Sequence, residues 1–135
     1  SQALRDGGLN ATDVDYVNAH GTATREGDPV EIAALRELLG PHARSTMISA
    51  TKSMHGHLLG AAGAVEILAT ALALHNDVAP PTAHLLHVDP ACAGLDHVMG
   101  TGRHAAGLTI ALSNSFAFGG SNAVVALRSS RGASC

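Results

Sequence analysis

The first group of side chains suited to chemistry is a histidine with two threonines close by. His20 directly follows an apolar, β-prone segment and opens a loop that contains Thr22 and Thr24. Binding sites in α/β sheets commonly lie at the carboxyl ends of the strands. A histidine at such a position can exchange a proton or hydrogen-bond a substrate oxygen. A single loop histidine more often bonds to backbone groups, so this residue alone establishes no site.

A lysine and two histidines share a second loop. Lys52, His55 and His57 lie between a short apolar segment and a long Ala-rich one. A lysine beside apolar surface needs an anionic partner, because burying an unpaired charge is costly. His55 is typical of an exposed loop residue. The two histidines and His20 are also potential metal ligands, but no carboxylate or thiol stands at a familiar ligand spacing, which argues against a metal site.

Three carboxylates are candidate partners for Lys52. Asp28 and Glu31 begin a predicted helix, and Glu66 lies in a predicted buried helix. The order Asp-Pro-Val-Glu is typical of a helix start, in which the aspartate caps, the proline takes the first helical position and the glutamate closes a capping box. Capping therefore explains Asp28 and Glu31 equally well, and a satisfied structural carboxylate explains Glu66.

A glycine-rich turn near the C-terminus offers backbone hydrogen-bond donors. Phe116 and Phe118, two of the three aromatic residues, flank Ala117 just before a pair of glycines. Exposed N–H groups in such a turn can stabilise an oxyanion. An ordinary tight hairpin accounts for the same residues. The glycines at 56, 60 and 63 do not match a dinucleotide-binding fingerprint, so we expect no such site.

The elements that must position these residues alternate between strand and helix, which predicts an α/β layered sheet. A helix from Asp28 to Leu39 is expected to bury a stripe of Ile32, Leu35 and Leu39. A helix from Ala61 to about His75 is apolar on nearly every side and is predicted to be central and buried. The remaining expectations are a helix end at 1–8, a loop at 51–60, and strands at 14–19, 47–50, 97–99, 108–113 and 122–127.

Three segments together resemble one known family, the beta-ketoacyl-[acyl-carrier-protein] synthases. The similarity looks greatest to type II fatty-acid elongation enzymes and polyketide ketosynthases, and it extends from about Leu4 to Leu127. Asn18–Thr24, together with Gly27, Asp28 and Glu31, resembles the first histidine motif of that family. Thr51–Glu66 resembles its lysine and second-histidine motif. Asn114–Asn122 resembles its C-terminal glycine-rich turn.

The resemblance implies a fold. Members of the family have a duplicated thiolase-like α/β/α/β/α fold, and this sequence matches the C-terminal half, with a mixed sheet and a buried central helix. Residues 1–128 would form this half-domain. Residues 129–135 are small and polar, which predicts a disordered tail. A missing N-terminal half would cover the apolar helix and would explain both the sparse charge and a start within a helix.

The resemblance also implies catalytic roles. His20 and His57 would hydrogen-bond the thioester oxygen of a malonyl group, favour loss of carbon dioxide and stabilise the enolate. Lys52 would pair with Glu31, and with Asp28 as a second partner, to organise charge around the site.

Further roles concern substrate binding. The backbone N–H of Phe118 would supply an oxyanion-hole donor, and its ring would gate the acyl pocket. Thr22 and Thr24 would hydrogen-bond the phosphopantetheine arm of an acyl carrier protein, which carries the substrate. No tightly bound cofactor is implied, and the full protein is expected to be a homodimer.

The sequence departs from the family pattern in one important respect. The nucleophilic cysteine belongs to an upstream motif, and neither Cys92, in an irregular region, nor Cys135, in the tail, stands where that residue should. The isolated chain is therefore expected to have no condensing activity. Alternatives are a non-catalytic partner resembling a chain-length factor, against which His20 and His57 argue, and an inactive truncated remnant. Smaller departures are Ala117, expected to stiffen the turn, together with Ser121 and His55.

Composition excludes other classes of function. Of 135 residues, 46% are hydrophobic and 14% charged, and the net charge is −3 without a basic patch, so neither nucleic acid nor an anionic membrane is an expected partner. The apolar run from Leu58 to Leu74 contains Glu66 and favours a buried helix over a membrane span. Two distant cysteines form no disulfide framework, and the absence of a recognisable signal peptide favours a cytoplasmic location.

Overall fold

The structure, a computed structural model, describes residues 2–131. It contains four α-helices and seven strands in this range, joined by short 3₁₀ segments. The elements in chain order are α1 (Gln2–Asp6), β1 (Tyr16–Asn18), α2 (Gly27–Leu39), β2 (Met47–Ser49), α3 (Lys52–His55), α4 (Ala62–Asn76), β3 (Val78–Ala79), β4 (Asp96–His97), β5 (Arg103–His104), β6 (Ile110–Phe116) and β7 (Asn122–Arg128).

Five of the strands form one mixed sheet in the order β4-β2-β1-β6-β7. The first four of these run parallel to one another, and β7 returns antiparallel to β6. Tyr16 of β1 pairs with Met47 on one side and with Ala111 on the other, so β1 lies in the middle. Because parallel strands end at the same edge, the segments that follow β1 and β2 meet there, beside the end of β6. The predicted mixed α/β architecture is confirmed.

The two long helices cover opposite faces of this sheet, because side chains alternate along each strand. Val17 belongs to the core under α2, whereas Tyr16 packs with Ala73 and Leu74 of α4. Each fully buried aliphatic side chain contributes about 1.5–3 kcal/mol of hydrophobic free energy. The predicted apolar stripe of α2 is confirmed by the burial of Ile32, Leu35 and Leu39.

Helix α4 departs from the prediction of a helix buried on all sides. Its buried face includes two polar residues, Glu66 and Thr70, whereas Leu68 and Leu72 are 59% and 51% exposed. The polar residues find hydrogen-bond partners beneath the helix, and those contacts turn the leucines outward. The segment Leu59–Asn76 is also apolar and long enough to cross a membrane, a weak indication because core helices of soluble proteins pass the same test.

Several element bounds differ from the predicted ones. The expected loop at 51–60 begins with the short helix α3, and β6 continues to Phe116 instead of ending at 113. The strand expected at 97–99 is Asp96–His97, which pairs with β2. Within the expected tail, the Ser129 N–H donates to Thr109 O at 2.8 Å, and residues 132–135, including the terminal cysteine, lie outside the described residues. The boundary at 128 stays a prediction.

Candidate active site

The loop after β1 carries His20 and is held by a carboxylate of α2. The backbone N–H groups of His20 and Gly21 donate to Glu31 Oε1 and Oε2 at 2.9 and 3.0 Å. Asn114 Nδ2 also donates to Glu31 Oε1, at 2.9 Å. Gly21 has φ +42°, and a Cβ there would lie 2.5 Å from the Ala50 Cβ, so this tight turn requires glycine.

The helix start after this loop does not use the predicted capping box. The Gly27 N–H donates to Thr24 Oγ1 at 3.0 Å, so Thr24 satisfies the first helical residue. Asp28 Oδ1 instead accepts the Ala23 N–H at 3.1 Å. The expectation that Asp28 and Glu31 cap α2 together is therefore wrong, because both carboxylates reach back to the loop that carries the histidine.

Lys52 is buried behind His20 and pairs with Glu66 of α4. The ammonium forms a salt bridge with Glu66 Oε1, and the two side chains are only 5% and 1% exposed. The ammonium also donates to His20 O at 2.6 Å. The predicted pairing of Lys52 with Glu31 and Asp28 is wrong. Those two carboxylates approach the sheet from the α2 side, where their oxygens bind backbone N–H groups, whereas the lysine lies against α4.

His57 lies next to His20 at the sheet edge. The two ring centroids are 5.8 Å apart and the rings are nearly perpendicular, at 88°. The Leu59 N–H donates to His57 Nδ1 at 3.2 Å. The Lys52 ammonium lies 3.4 Å from His20 Nδ1 and can only donate to it. These contacts assign the acceptor role to Nδ1 of both rings, so each neutral ring carries its proton on Nε2.

The protonation state of His20 follows from its surroundings. Burial lowers the pKa of the His20 imidazole, and the nearby Lys52 ammonium lowers it further. A cationic ring would place a second positive charge beside the lysine. His20 is therefore a neutral hydrogen-bond donor at pH 7.

The glycine-rich turn places one phenylalanine against His20 and the other in solvent. The ring centroid of Phe116, at the end of β6, is 5.8 Å from that of His20. The ring of Phe118 is fully exposed. Ala117 has an extended backbone with φ −139°, so alanine is unstrained here, and the positive φ angles belong to Gly119 and Gly120. The expected stiffening through Ala117 thus has no backbone cause.

Sequence reasoning missed the contact of Phe116 with His20, although it noted the unusual aromatics in the turn. It also treated His55 as an exposed loop residue, which is wrong. His55 is half-buried, with Nδ1 donating to Gly56 O at 2.8 Å and Nε2 lying 3.2 Å from Thr51 Oγ1. Among residues 2–131, no cluster of three His, Cys, Asp or Glu side chains is arranged to hold a metal ion.

Cys92 lies in a separate cleft of about 210 Å³ on the α2 side of the sheet. The lining of this cleft includes Glu31 and Ile48 but neither of the paired histidines. Burial raises the pKa of the Cys92 thiol, and the carboxylates of Asp28, Asp89 and Glu31 raise it further. A thiol held protonated in this way is a poor nucleophile.

The arrangement can stabilise negative charge that develops on a substrate oxygen. Two Nε2–H groups lie on neighbouring rings, those of His20 and His57, whose centroids are 5.8 Å apart. Such donors are most effective where negative charge appears only in the transition state. These donors lie beside a buried lysine–glutamate ion pair at the carboxyl ends of the parallel strands, an arrangement suited to holding an oxygen that gains negative charge.

Comparisons with known proteins identify the family of this chain. Residues 1–86 match the beta-ketoacyl synthase, C-terminal domain. Nodulation protein E of Rhizobium sp. (strain N33) is 49% identical over 125 residues, which are 93% of this chain and 31% of that protein. The 3-oxoacyl-[acyl-carrier-protein] synthase 2 of Synechocystis is 48% identical over 93% of this chain and 30% of that protein.

A solved structure supports the same family assignment. A ketosynthase in complex with its type II polyketide synthase acyl-carrier protein and bound to the hexaketide superimposes with a TM-score of 0.89 at 34% identity, covering 95% of this chain and 31% of that one. The chain belongs to the beta-ketoacyl synthase family, whose members have a thiolase-like fold. It spans about 30% of the length of the curated relatives that it matches.

Proposed function

We propose that this chain forms the C-terminal half of an acyltransferase, a beta-ketoacyl-[acyl-carrier-protein] synthase that performs a decarboxylative Claisen condensation in fatty-acid or polyketide synthesis. The observation that carries the proposal is the pair of Nε2–H groups of His20 and His57. Family membership and the acyl-carrier-protein complex of the related ketosynthase support the substrate class.

The donor pair acts on the malonyl thioester. Both Nε2–H groups donate to its thioester oxygen. The bond between the α-carbon and the carboxylate breaks, carbon dioxide leaves, and the electron pair of that bond forms the enolate, whose oxygen the two histidines hold. The enolate carbon then attacks an acyl-cysteine thioester. A carbon–carbon bond forms, the carbon–sulfur bond breaks, and the cysteine leaves as a thiolate with a beta-ketoacyl product on the carrier.

The supporting residues have distinct roles in this proposal. Lys52 keeps the His20 ring neutral and oriented, and Glu66 neutralises the buried ammonium. Glu31 fixes the backbone at His20 through two N–H groups. Asp28 holds the same loop at Ala23 by accepting its backbone N–H.

The substrate-binding residues surround the donor pair. The exposed turn at Phe118 supplies a backbone oxyanion donor for the acyl thioester, and its ring covers the acyl pocket once substrate is present. Thr22 and Thr24 line the approach of the phosphopantetheine arm of an acyl carrier protein. The enzyme needs no tightly bound cofactor, because the arm brings both reacting thioesters.

The nucleophile comes from outside these 135 residues. Cys92 has a raised pKa and lines a cleft that the paired histidines do not reach. We place the reactive cysteine in an N-terminal half of the protein, which also covers the exposed leucines of α4. The complete enzyme is a cytoplasmic homodimer in this proposal.

The mass of the intact native protein, with peptide mapping of whatever co-purifies, tests this assignment. We expect a longer polypeptide or a tightly bound partner that contains an upstream cysteine, and we expect condensation of acyl and malonyl thioesters only when that cysteine is present. A 135-residue chain that is complete and alone would instead be an inactive remnant of the family. Acyl transfer onto Cys92, detected by mass, would overturn the assignment of the nucleophile.

A further inference from the structure

The side chain of Asn18, the last residue of β1, uses all of its hydrogen-bonding capacity. Its Nδ2 donates to Glu66 O at 3.2 Å and to Thr70 Oγ1 at 3.1 Å. Its Oδ1 accepts the Thr51 N–H at 3.4 Å and the Thr51 hydroxyl at 3.1 Å. Asn18 is 1% exposed, so none of these bonds competes with water.

These four bonds join the three segments that carry the buried ion pair and its histidine. Asn18 precedes His20 by two residues, and Thr51 immediately precedes Lys52. Glu66 offers its backbone carbonyl to the amide and its carboxylate to the lysine. A single amide therefore links the backbone segments that hold His20, Lys52 and Glu66.

The Asn18 amide is surrounded by polar partners, whereas the neighbouring contact between β1 and α4 is mainly apolar, apart from the Tyr16 hydroxyl, which lies 2.8 Å from Ser49 Oγ. On the same face, two residues earlier in β1, Tyr16 packs against Ala73 and Leu74 of α4. A buried amide with every bond made contributes little net stability compared with apolar packing of the same shape. A fully satisfied polar network does fix one geometry. Geometry rather than stability is thus what the amide provides next to the site.

We propose that Asn18 is a positioning residue, which holds the Lys52 ammonium against His20 by tying the Thr51 loop and α4 to the end of β1. This inference rests on the proposed function for its catalytic consequence, but the position of the lysine relative to the histidine can be measured without turnover. Loosening the amide network lets Lys52 move away from His20, and the ring loses a nearby positive charge.

The test uses Thr51→Val, which removes the hydroxyl donor to Asn18 without changing side-chain volume, in the complete protein. The matched control is Thr46→Val. Thr46 is 0% exposed and its hydroxyl donates to Val14 O at 3.3 Å and His42 O at 3.2 Å, at the opposite end of β2. Both variants lose one buried hydroxyl that has two partners, since the Thr51 hydroxyl also lies 3.2 Å from His55 Nε2. Only Thr51→Val touches the Asn18 network.

The first readout is the titration of the His20 ring, followed by nuclear magnetic resonance of labelled histidine. Among the charged groups around the His20 ring, Lys52 and His57 lower its pKa while Glu66 and Asp28 raise it, and the effect of Lys52 is the largest of the four. Displacement of Lys52 in Thr51→Val should therefore raise that pKa, Thr51→Ser should restore it, and Thr46→Val should leave it unchanged. The second readout is carbon dioxide release from a malonyl thioester. We expect kcat to fall about tenfold in Thr51→Val at an unchanged KM, because the donor orientation and not the binding is altered.

The outcomes separate the two proposals. An unchanged His20 pKa in Thr51→Val, or equal shifts in Thr51→Val and Thr46→Val, would overturn the positioning role whatever the activity. A shift confined to Thr51→Val in a protein that releases no carbon dioxide would support the positioning role and reject the proposed reaction.

Discussion

Replacing His57 by alanine should lower the rate of carbon dioxide release from a malonyl thioester by about 10²–10³-fold, the usual loss when one donor to a developing oxyanion is removed. His57 is exposed, and its only described hydrogen bond is the one from Leu59 N to Nδ1. Removing the ring therefore leaves the core intact. The thermal midpoint of unfolding should change little, so the lost activity can be assigned to the missing Nε2–H.

Two further variants sharpen this experiment. His57→Gln retains an N–H donor on a flexible side chain and should keep part of the lost activity. His104→Ala removes another exposed histidine, in β5, and should leave the rate unchanged. If His57→Ala releases carbon dioxide within about threefold of the parent protein, the second donor is not used and the role of the paired rings in decarboxylation is wrong.

Replacing Lys52 by methionine should destabilise the protein by about 3–5 kcal/mol, because it leaves the Glu66 charge buried without a counterion. The Glu66 side chain is 1% exposed, and its Oε2 has no hydrogen-bond partner among residues 2–131. Urea unfolding measures the loss directly, and the thermal midpoint should fall by roughly 10 °C.

The double variant Lys52→Met with Glu66→Gln removes the unpaired charge and should recover more than half of the lost stability. The control is Arg103→Met, which breaks the ion pair with Asp96 on the surface, where the two side chains are 42% and 37% exposed. An exposed pair of this kind contributes about 0–1 kcal/mol. Equal losses in Lys52→Met and Arg103→Met would show that Lys52 and Glu66 are not a buried ion pair.

The parts of the fold that the sequence predicts are those in which local pattern and tertiary packing agree. The apolar spacing of Ile32, Leu35 and Leu39 predicts the buried face of α2, and that face is buried. The β-prone segments around Val17 and Ile48 do form neighbouring parallel strands. Because such strands end at one edge of the sheet, the proximity of the loops that follow them also has a physical basis.

The orientation of α4 could not be predicted in the same way. Its sequence is apolar on nearly all sides, so hydrophobic spacing gives no preferred face. The buried face is decided instead by Glu66 and Thr70, whose polar groups find partners on β1 and on Lys52. Those partners lie 14 to 52 residues away in sequence, a range over which helical periodicity carries no information.

The partner of Lys52 was missed for a related reason. Charge alone offers three carboxylates, Asp28, Glu31 and Glu66, and the sequence does not say which of them shares a face of the sheet with the lysine. The structure separates them, because α2 and α4 lie on opposite faces. The resemblance to a family located the histidine, lysine and glycine-rich motifs, but the contact between Phe116 and His20 depends on where β6 ends, one of the least predictable features of a strand.

The structure of the complete protein with a malonyl amide, a substrate analogue that does not lose carbon dioxide, tests the central claim most directly. The distances that matter join the carbonyl oxygen of the analogue to His20 Nε2 and to His57 Nε2. We predict that both are about 2.7–3.2 Å, the range of hydrogen bonds from nitrogen to oxygen. A carbonyl oxygen that contacts neither ring, for example in an analogue bound in the cleft beside Cys92, would contradict the account.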